Sequence, residues 1–235
     1  VNSNAFPEGA SYWRLSRTAE EACESQSLTG QSPVAVITLK LGTVVSLLYR
    51  MACCHWGCHG KEHVFEYLAG RTCTSVHSAY RLIGFGYYDE ALALTRNIAE
   101  IGNLVQLFFI DNSHVRSWLD FSDKERRRAY SPASVRSALE KLGAVVPTDR
   151  DRYSWLCEVG THVTPRTVPQ AHNDQQRPIL GAVLQHDGLK SATESLAWSV
   201  CTVSAPLSKL ALLEQGYAER LFEESISLAK LLHKL

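Results

Sequence analysis

Excess charge of either sign is absent from this chain. Lys and Arg together number 24, as do Asp and Glu, so the formal net charge is zero. That removes the strongly basic whole-chain footprint of many nucleic-acid binders and leaves room only for a local basic patch. The opening residues, Val1 to Trp13, lack the basic region and apolar core of a secretory leader. The most apolar run, Val34 to Met51, is broken by Lys40 and Arg50, which makes it too short and too charged for a membrane span. Cysteines number seven, an odd count, and three of them crowd into residues 53–58. The spaced, even framework of a secreted disulfide protein is therefore missing, and so is any Cys-x-x-Cys redox pair. No internal repeat or low-complexity segment occurs. The expectation is a cytoplasmic protein with free thiols and no membrane contact.

What is present suits a globular chain. Of 235 residues, 45% are hydrophobic and 20% charged. A chain of this length buries about three quarters of its unfolded surface, so neither disulfides nor a structural metal are needed for folding. The punctuation is helical. Ser32-Pro33 places a capping serine before a proline at the first helical position. The segment that follows is apolar on nearly all sides and predicts a central buried helix, weakened and ended by Gly57 and Gly60. Further helices are predicted from about Lys61 to Leu82 and from about Tyr88 to Asp111, with a turn at Gly84-Phe85-Gly86. Ser122 and Glu125 form a capping box. Ser131-Pro132 opens a helix stopped by Gly143, and Thr148 is positioned to cap the next. Residues 163–178 hold three prolines among polar residues and read as a loop, and the Pro178–His186 stretch is the one candidate strand. Helices at about 189–214 and 217–234 close the chain, with Pro206 as a kink or break. Helices joined by short turns must bury their apolar faces on one another. The fold class predicted is all-α: a single bundle of about seven to nine helices, with a core over about 32–162 and the C-terminal helices as further members.

The stretch Cys53 to His63 packs three cysteines and three histidines into eleven residues. On a continuous helix His55, His59 and His63 share a face, with Cys54 and Cys58 one position away. Cys54, Cys58, His59 and His63 are the candidate ligands if a zinc ion is bound, since zinc takes four N or S ligands. The competing reading is a packed helix end, because cysteine behaves as a small hydrophobe and histidine favours a helix C-terminus. No cofactor is otherwise called for.

Between Ala91 and Ile110 only Arg96 and Glu100 are charged, four residues apart, with Asn103 at the next step. So isolated a pair on an apolar helix is expected to turn inward, either as a structural salt bridge or as an active-site arginine and carboxylate. A second set lies in Tyr153 to His162. There Glu158 and His162 stand four apart, and His162 falls where a helix ends, open to solvent and titrating near neutrality. A histidine at such an end also serves to satisfy free carbonyls.

Two segments carry a resemblance: His77-Ser78-Ala79-Tyr80-Arg81-Leu82-Ile83-Gly84 running on to Arg96 and Glu100, and Tyr153 to Pro165. The order Gly, Glu-Ala, Arg-x-x-x-Glu, then Tyr with a downstream His-x-x-Pro, resembles a group of uncharacterised bacterial all-helical proteins, over residues 70–165 or so. Their topology is similar to the HEPN superfamily, many of whose members are ribonucleases of toxin–antitoxin and phage-defence systems. What the resemblance implies is an RNA-processing or toxin-type protein. Arg96, Glu100, Tyr153 and His162 are then the candidate catalytic set. HEPN ribonucleases pair an arginine with a histidine after a gap of four to six residues, and Ile101 and Gly102 stand where Arg96 would need it. That spacing recurs at Arg50/His55, Arg71/His77 and Arg166/His172, of which Arg71/His77 is the best placed, on a helix expected to face the interior. Such an arginine stabilises charge developing on a phosphate, and the histidine moves the ribose proton. Lys124, Arg126, Arg127 and Arg128, with Arg116 and Arg136 nearby, offer an RNA-holding run, diluted by Asp120, Asp123 and Glu125 into what also reads as a solvated face. A homo-oligomer or a protein partner is expected. The rival functions are a non-catalytic helical scaffold or binding module, and a metal-binding bundle enzyme built on Glu100, Glu158 or His162 with the cysteine–histidine cluster.

Overall fold

The computed structural model describes residues 9–27, 32–53, 63–165, 167–210 and 214–233. Among them it is all-helical, with ten helices and no strand. The order is α1 (Gly9–Ser27), α2 (Pro33–Ala52), α3 (Val64–Gly84), α4 (Tyr88–Ile110), α5 (Ser113–Asp120), α6 (Asp123–Ala129), α7 (Pro132–Lys141), α8 (Arg150–Gly160), α9 (His186–Leu210) and α10 (Gln215–Leu232). The predicted starts of α2 and α6 hold, whereas α2 ends earlier than expected, at Ala52, and Gly57 and Gly60 lie outside the described residues. Ser32 accepts from the Ala35 amide with Pro33 at the first turn, and Ser122 and Glu125 make the reciprocal capping box. Gly86 and Gly143 take positive φ at the ends of α3 and α7, the conformation that glycine supplies without steric strain.

One apolar core is shared by α2, α3, α4, α8, α9 and α10. Its centre is not α2, as the run of apolar residues suggested. α4 and α9 make the most extensive contact, and α2 leaves Val36, Leu39 and Tyr49 exposed. Contrary to expectation, α2 is long and apolar enough in composition to cross a membrane (mean hydropathy 1.5); Ile37, Leu41, Val44, Val45, Leu47, Leu48 and Met51 are core residues, so packing accounts for part of that apolarity. α9 sits at the centre because its buried residues are small. Thr202, Ser204 and Ser208 satisfy their hydroxyls on carbonyls of their own helix. Gly102 of α4 lies so close to Thr202 that a side chain there would overlap it. α9 also runs unbroken through Pro206 to Leu210.

Two other expectations are corrected, and a third gains detail. Residues 178–185 form no strand but irregular chain. Thr148 does not cap α8; Asp149 does, accepting from the Arg152 amide at 2.8 Å. The loop after residue 163 is pinned to the start of α4. Buried Gln170, at φ +49°, accepts from the Tyr88 and Asp89 amides, donates to Glu90, and donates its own amide to Asp89. His172 meets the same Asp89 carboxylate at 2.7 Å. A side chain from 81 residues away thus fills the capping role that Tyr87 leaves open.

α8 packs antiparallel on α4. Its last residue, Gly160, lies against the backbone of Ala93 and Asp89, where an added Cβ would come to 2.5 Å from the Ala93 nitrogen. Backbone cannot yield as a flexible side chain does. Gly160→Ala is therefore expected to lower the unfolding free energy by about 1–3 kcal/mol. Urea denaturation followed by circular dichroism reads this, and an unshifted midpoint would mean that α8 has no such close seat.

Candidate functional site

The site is built on one flank of α4. Asn103 is buried and joins Thr148 twice: its Nδ2 donates to the Thr148 carbonyl at 2.8 Å and its Oδ1 accepts the Thr148 amide at 2.9 Å. That fixes the start of α8. Tyr153 and Cys157, four apart on α8, then face Arg96, one to two turns earlier on α4.

Arg96 Nη2 lies 2.7 Å from Glu100 Oε1 and donates to the Tyr153 hydroxyl at 2.5 Å. The hydroxyl donates in turn to Glu100 Oε1 at 2.7 Å. Arg96 Nε donates to Cys157 Sγ at 3.1 Å. The guanidinium also lies over the Tyr153 ring, 5.0 Å from its centre, and Arg136 of α7 lies over the same ring at 4.4 Å. The isolated charged pair therefore does turn toward a neighbouring helix, but it stays half-exposed, at 21% and 30% for Arg96 and Glu100. Burial pulls the Arg96 guanidinium down, and the bond to Tyr153 with the Glu100 charge outweighs it, so its pKa is raised. Burial, with the hydrogen bond to Glu100, pushes the Tyr153 phenol up to about 12.

Beside this network opens a cavity of about 320 Å³ between α3, α4, α5 and α7. Arg71, Asn97, Glu100, Trp118 and Tyr130 are on its wall. Glu100 uses only Oε1 in the network, which leaves Oε2 without a hydrogen bond among the described residues. Arg71 and Asn97 make no side-chain hydrogen bond there either. Tyr130 is held by His114, whose Nδ1 is 3.0 Å from its hydroxyl.

The sequence candidates thus divide. Arg96, Glu100 and Tyr153 come together, with Arg71 across the cavity from Glu100. His162 does not join them: it is exposed past the end of α8, and its side chain makes no hydrogen bond or ion pair among the described residues. Arg71 and His77 are both on the outer side of α3, not its interior side. Six residues apart, they diverge by about a third of a turn, and His77 lines a different, apolar groove with Leu39 and Tyr49. Of the other spacing matches, His55 and Arg166 lie outside the described residues, and His172 is the partner of Asp89. Cys54, Cys58 and His59 also lie outside them. His63 begins α3, 3.7 Å from Glu66. Among the described residues no group of three or more His, Cys, Asp or Glu could hold a metal. In the basic run, Arg126 is taken up by Asp123 and the carbonyls of Trp118 and Phe121, and Arg116 by Asp120, while Lys124, Arg127 and Arg128 are exposed. Sequence reasoning missed Cys157, Asn97, Trp118 and Tyr130. The four-residue step from Tyr153 to Cys157 was the one available signal.

No family model matches the chain, no curated protein matches it, and no solved structure matches it.

Removing the Tyr153 hydroxyl leaves Arg96 and Glu100 paired but unbridged. Tyr153→Phe is expected to lower stability by about 1–2 kcal/mol, the range of a hydrogen bond to charged groups at a half-exposed site. The pH dependence has a definite sign. A phenol raised in the folded state stays protonated while the unfolded chain ionises, so its contribution is complete below about pH 10 and is lost as pH rises toward about 12. Urea midpoints across that window should fall more steeply for the wild type than for Tyr153→Phe. Parallel curves would remove the bridge.

Proposed function

We propose that the cavity beside Arg96, Glu100 and Tyr153 binds one nucleotide of a single-stranded RNA, so that the protein acts as an RNA-binding module of the toxin or phage-defence kind that the HEPN resemblance implies. The observation that carries this reading is the wall of the cavity. Two aromatic residues, Trp118 and Tyr130, stand with three polar groups that make no hydrogen bond among the described residues, Arg71, Asn97 and Glu100 Oε2. Bases of single-stranded RNA are held by stacking on aromatic rings and by hydrogen bonds to their exposed edges. A carboxylate and an amide suit a base edge rich in donors, and an exposed arginine suits the phosphate. The volume, about 320 Å³, is at the lower end of ligand-sized cavities, roughly 300–1,000 Å³. Exposed Lys124, Arg127 and Arg128 on α6 lie in the segment between Trp118 and Tyr130, and they supply positive charge for a strand leaving the cavity.

Binding is favoured over cleavage by the layout of the histidines. His162 and His77 do not line this cavity, and Glu100, the one carboxylate on its wall, is already tied to Arg96 and Tyr153.

Fluorescence anisotropy with short labelled single-stranded RNAs tests the reading. The wild type should bind, and Arg71→Ala should weaken binding by about tenfold, the equivalent of one charged hydrogen bond, without shifting the urea midpoint. RNA recovered from the complex should be intact. Absence of binding would favour the non-catalytic scaffold. Cleavage that is lost in Glu100→Gln, together with growth arrest on expression, would favour a ribonuclease.

A further inference from the structure

A second cavity, of about 380 Å³, lies on the other side of α8, between Pro147 and Asp149, α9 and the end of α10. Its polar residues include Asp149, Arg152, Ser191, Glu194 and Ser195, and Trp198 and Leu232 give it an apolar wall. Trp198 is held in place by its Nε1, which donates to the Pro147 carbonyl at 3.3 Å, and by the His233 ring packed edge-on at 5.3 Å.

Arg152 is the unusual member of this lining; like Arg136, it has a buried guanidinium nitrogen with no hydrogen-bond partner among the described residues. Its Nε is wholly buried with no hydrogen-bond partner, and its guanidinium makes no hydrogen bond or ion pair among the described residues. It rests only near the face of Trp198, 6.0 Å from the ring centre. Burial lowers its pKa, and the charges of Asp149 and Glu194 offset this only in part. Both carboxylates belong to the same cavity, yet neither reaches bonding distance to the guanidinium: Asp149 accepts the Arg152 amide on Oδ1 alone, and Glu194 leans toward Lys190 at 3.9 Å. A half-buried arginine with no bonding partner among the described residues is a costly arrangement that a ligand carboxylate, matching the fork of the guanidinium, would relieve.

The charges select among ligands. A simple anion would gain Arg152 but meet two carboxylates. A simple cation would gain the carboxylates and meet Arg152. A molecule carrying both charges a few bonds apart satisfies the whole set. We infer that this cavity binds a free α-amino acid as its zwitterion, with its carboxylate on Arg152, its ammonium toward Glu194 and Asp149, and its side chain against Trp198 and Leu232. The Ser191 and Ser195 hydroxyls complete the polar surroundings. The inference does not rest on RNA binding at the first cavity.

Calorimetric titration and thermal shift on the whole protein test it, with the individual free L-amino acids as probes and with acetate, inorganic phosphate and methylamine as controls. At least one amino acid should bind and raise the melting temperature while the controls do not. Arg152→Met and Glu194→Gln should each weaken that binding by about tenfold or more, and Arg71→Ala should leave it unchanged. Equal effects from acetate or phosphate would reduce the cavity to an anion site and overturn the assignment. So would retention of amino-acid binding in Glu194→Gln, which exchanges one carboxylate for an isosteric amide on a half-exposed surface, or an absence of binding by every amino acid.

Discussion

The paired hydrogen bonds between the Asn103 side chain and the Thr148 backbone determine where α8 begins, and most of the site follows from that. A buried amide has donors and acceptors that must be met. Asn103 meets them with a single peptide group, and this fixes both the position and the direction of the segment it holds. From that point α8 runs back along α4, so that Tyr153 and Cys157 arrive at Arg96 and Gly160 at Ala93. A conservative exchange at Asn103 would lose one of the two bonds and leave a buried peptide group half-satisfied, which is more disruptive than the loss of an exposed contact.

Legibility in the sequence followed the range of the forces involved. Local signals were readable: Ser32-Pro33, the Ser122 and Glu125 box and the Gly86 and Gly143 turns all sit where the spacing put them. The pairing of Arg96 with Glu100 was readable because both belong to one helix face. The start of α8 lies one residue later than expected because Asp149 is the better cap by type and Asn103, 45 residues away, takes the Thr148 backbone. α1 went unpredicted because its inward face is thin, with only Cys23 and Ser27 buried. The capping of α4 by Gln170 left no trace either, since glutamine carries no such preference by itself. The mistaken central role of α2 has a simple cause. Apolar composition reports how much a helix can bury, whereas the small residues of α9 report how closely its neighbours can approach, and closeness determines the centre.

The arginines of this fold fall into two electrostatic conditions. Arg96 and Arg126 are enclosed by acceptors: a carboxylate and a phenol for the first, a carboxylate and two carbonyls for the second. Such groups are structural in their first effect, because removing any one partner strands a partly desolvated charge. Arg71 and Arg152 are left open, one exposed at the mouth of a cavity and the other half-buried inside one. An open exposed arginine is unremarkable energetically, since water solvates it. An open half-buried one is not, because water has been removed without replacement. The first cavity is marked by the residues gathered on its wall, the second by a half-buried charge with no bonding partner among the described residues.

α8 reaches both regions: Arg152 lines the second cavity, and Tyr153 bonds Glu100 on the wall of the first. Arg152 and Tyr153 are consecutive residues and therefore point about 100° apart around the helix axis, one toward Trp198 and the other toward Arg96 and Glu100. A helix of eleven residues, anchored at one end by Asp149 and Thr148 and at the other by the close seat of Gly160, is one short element that holds a different charge network on each of two faces.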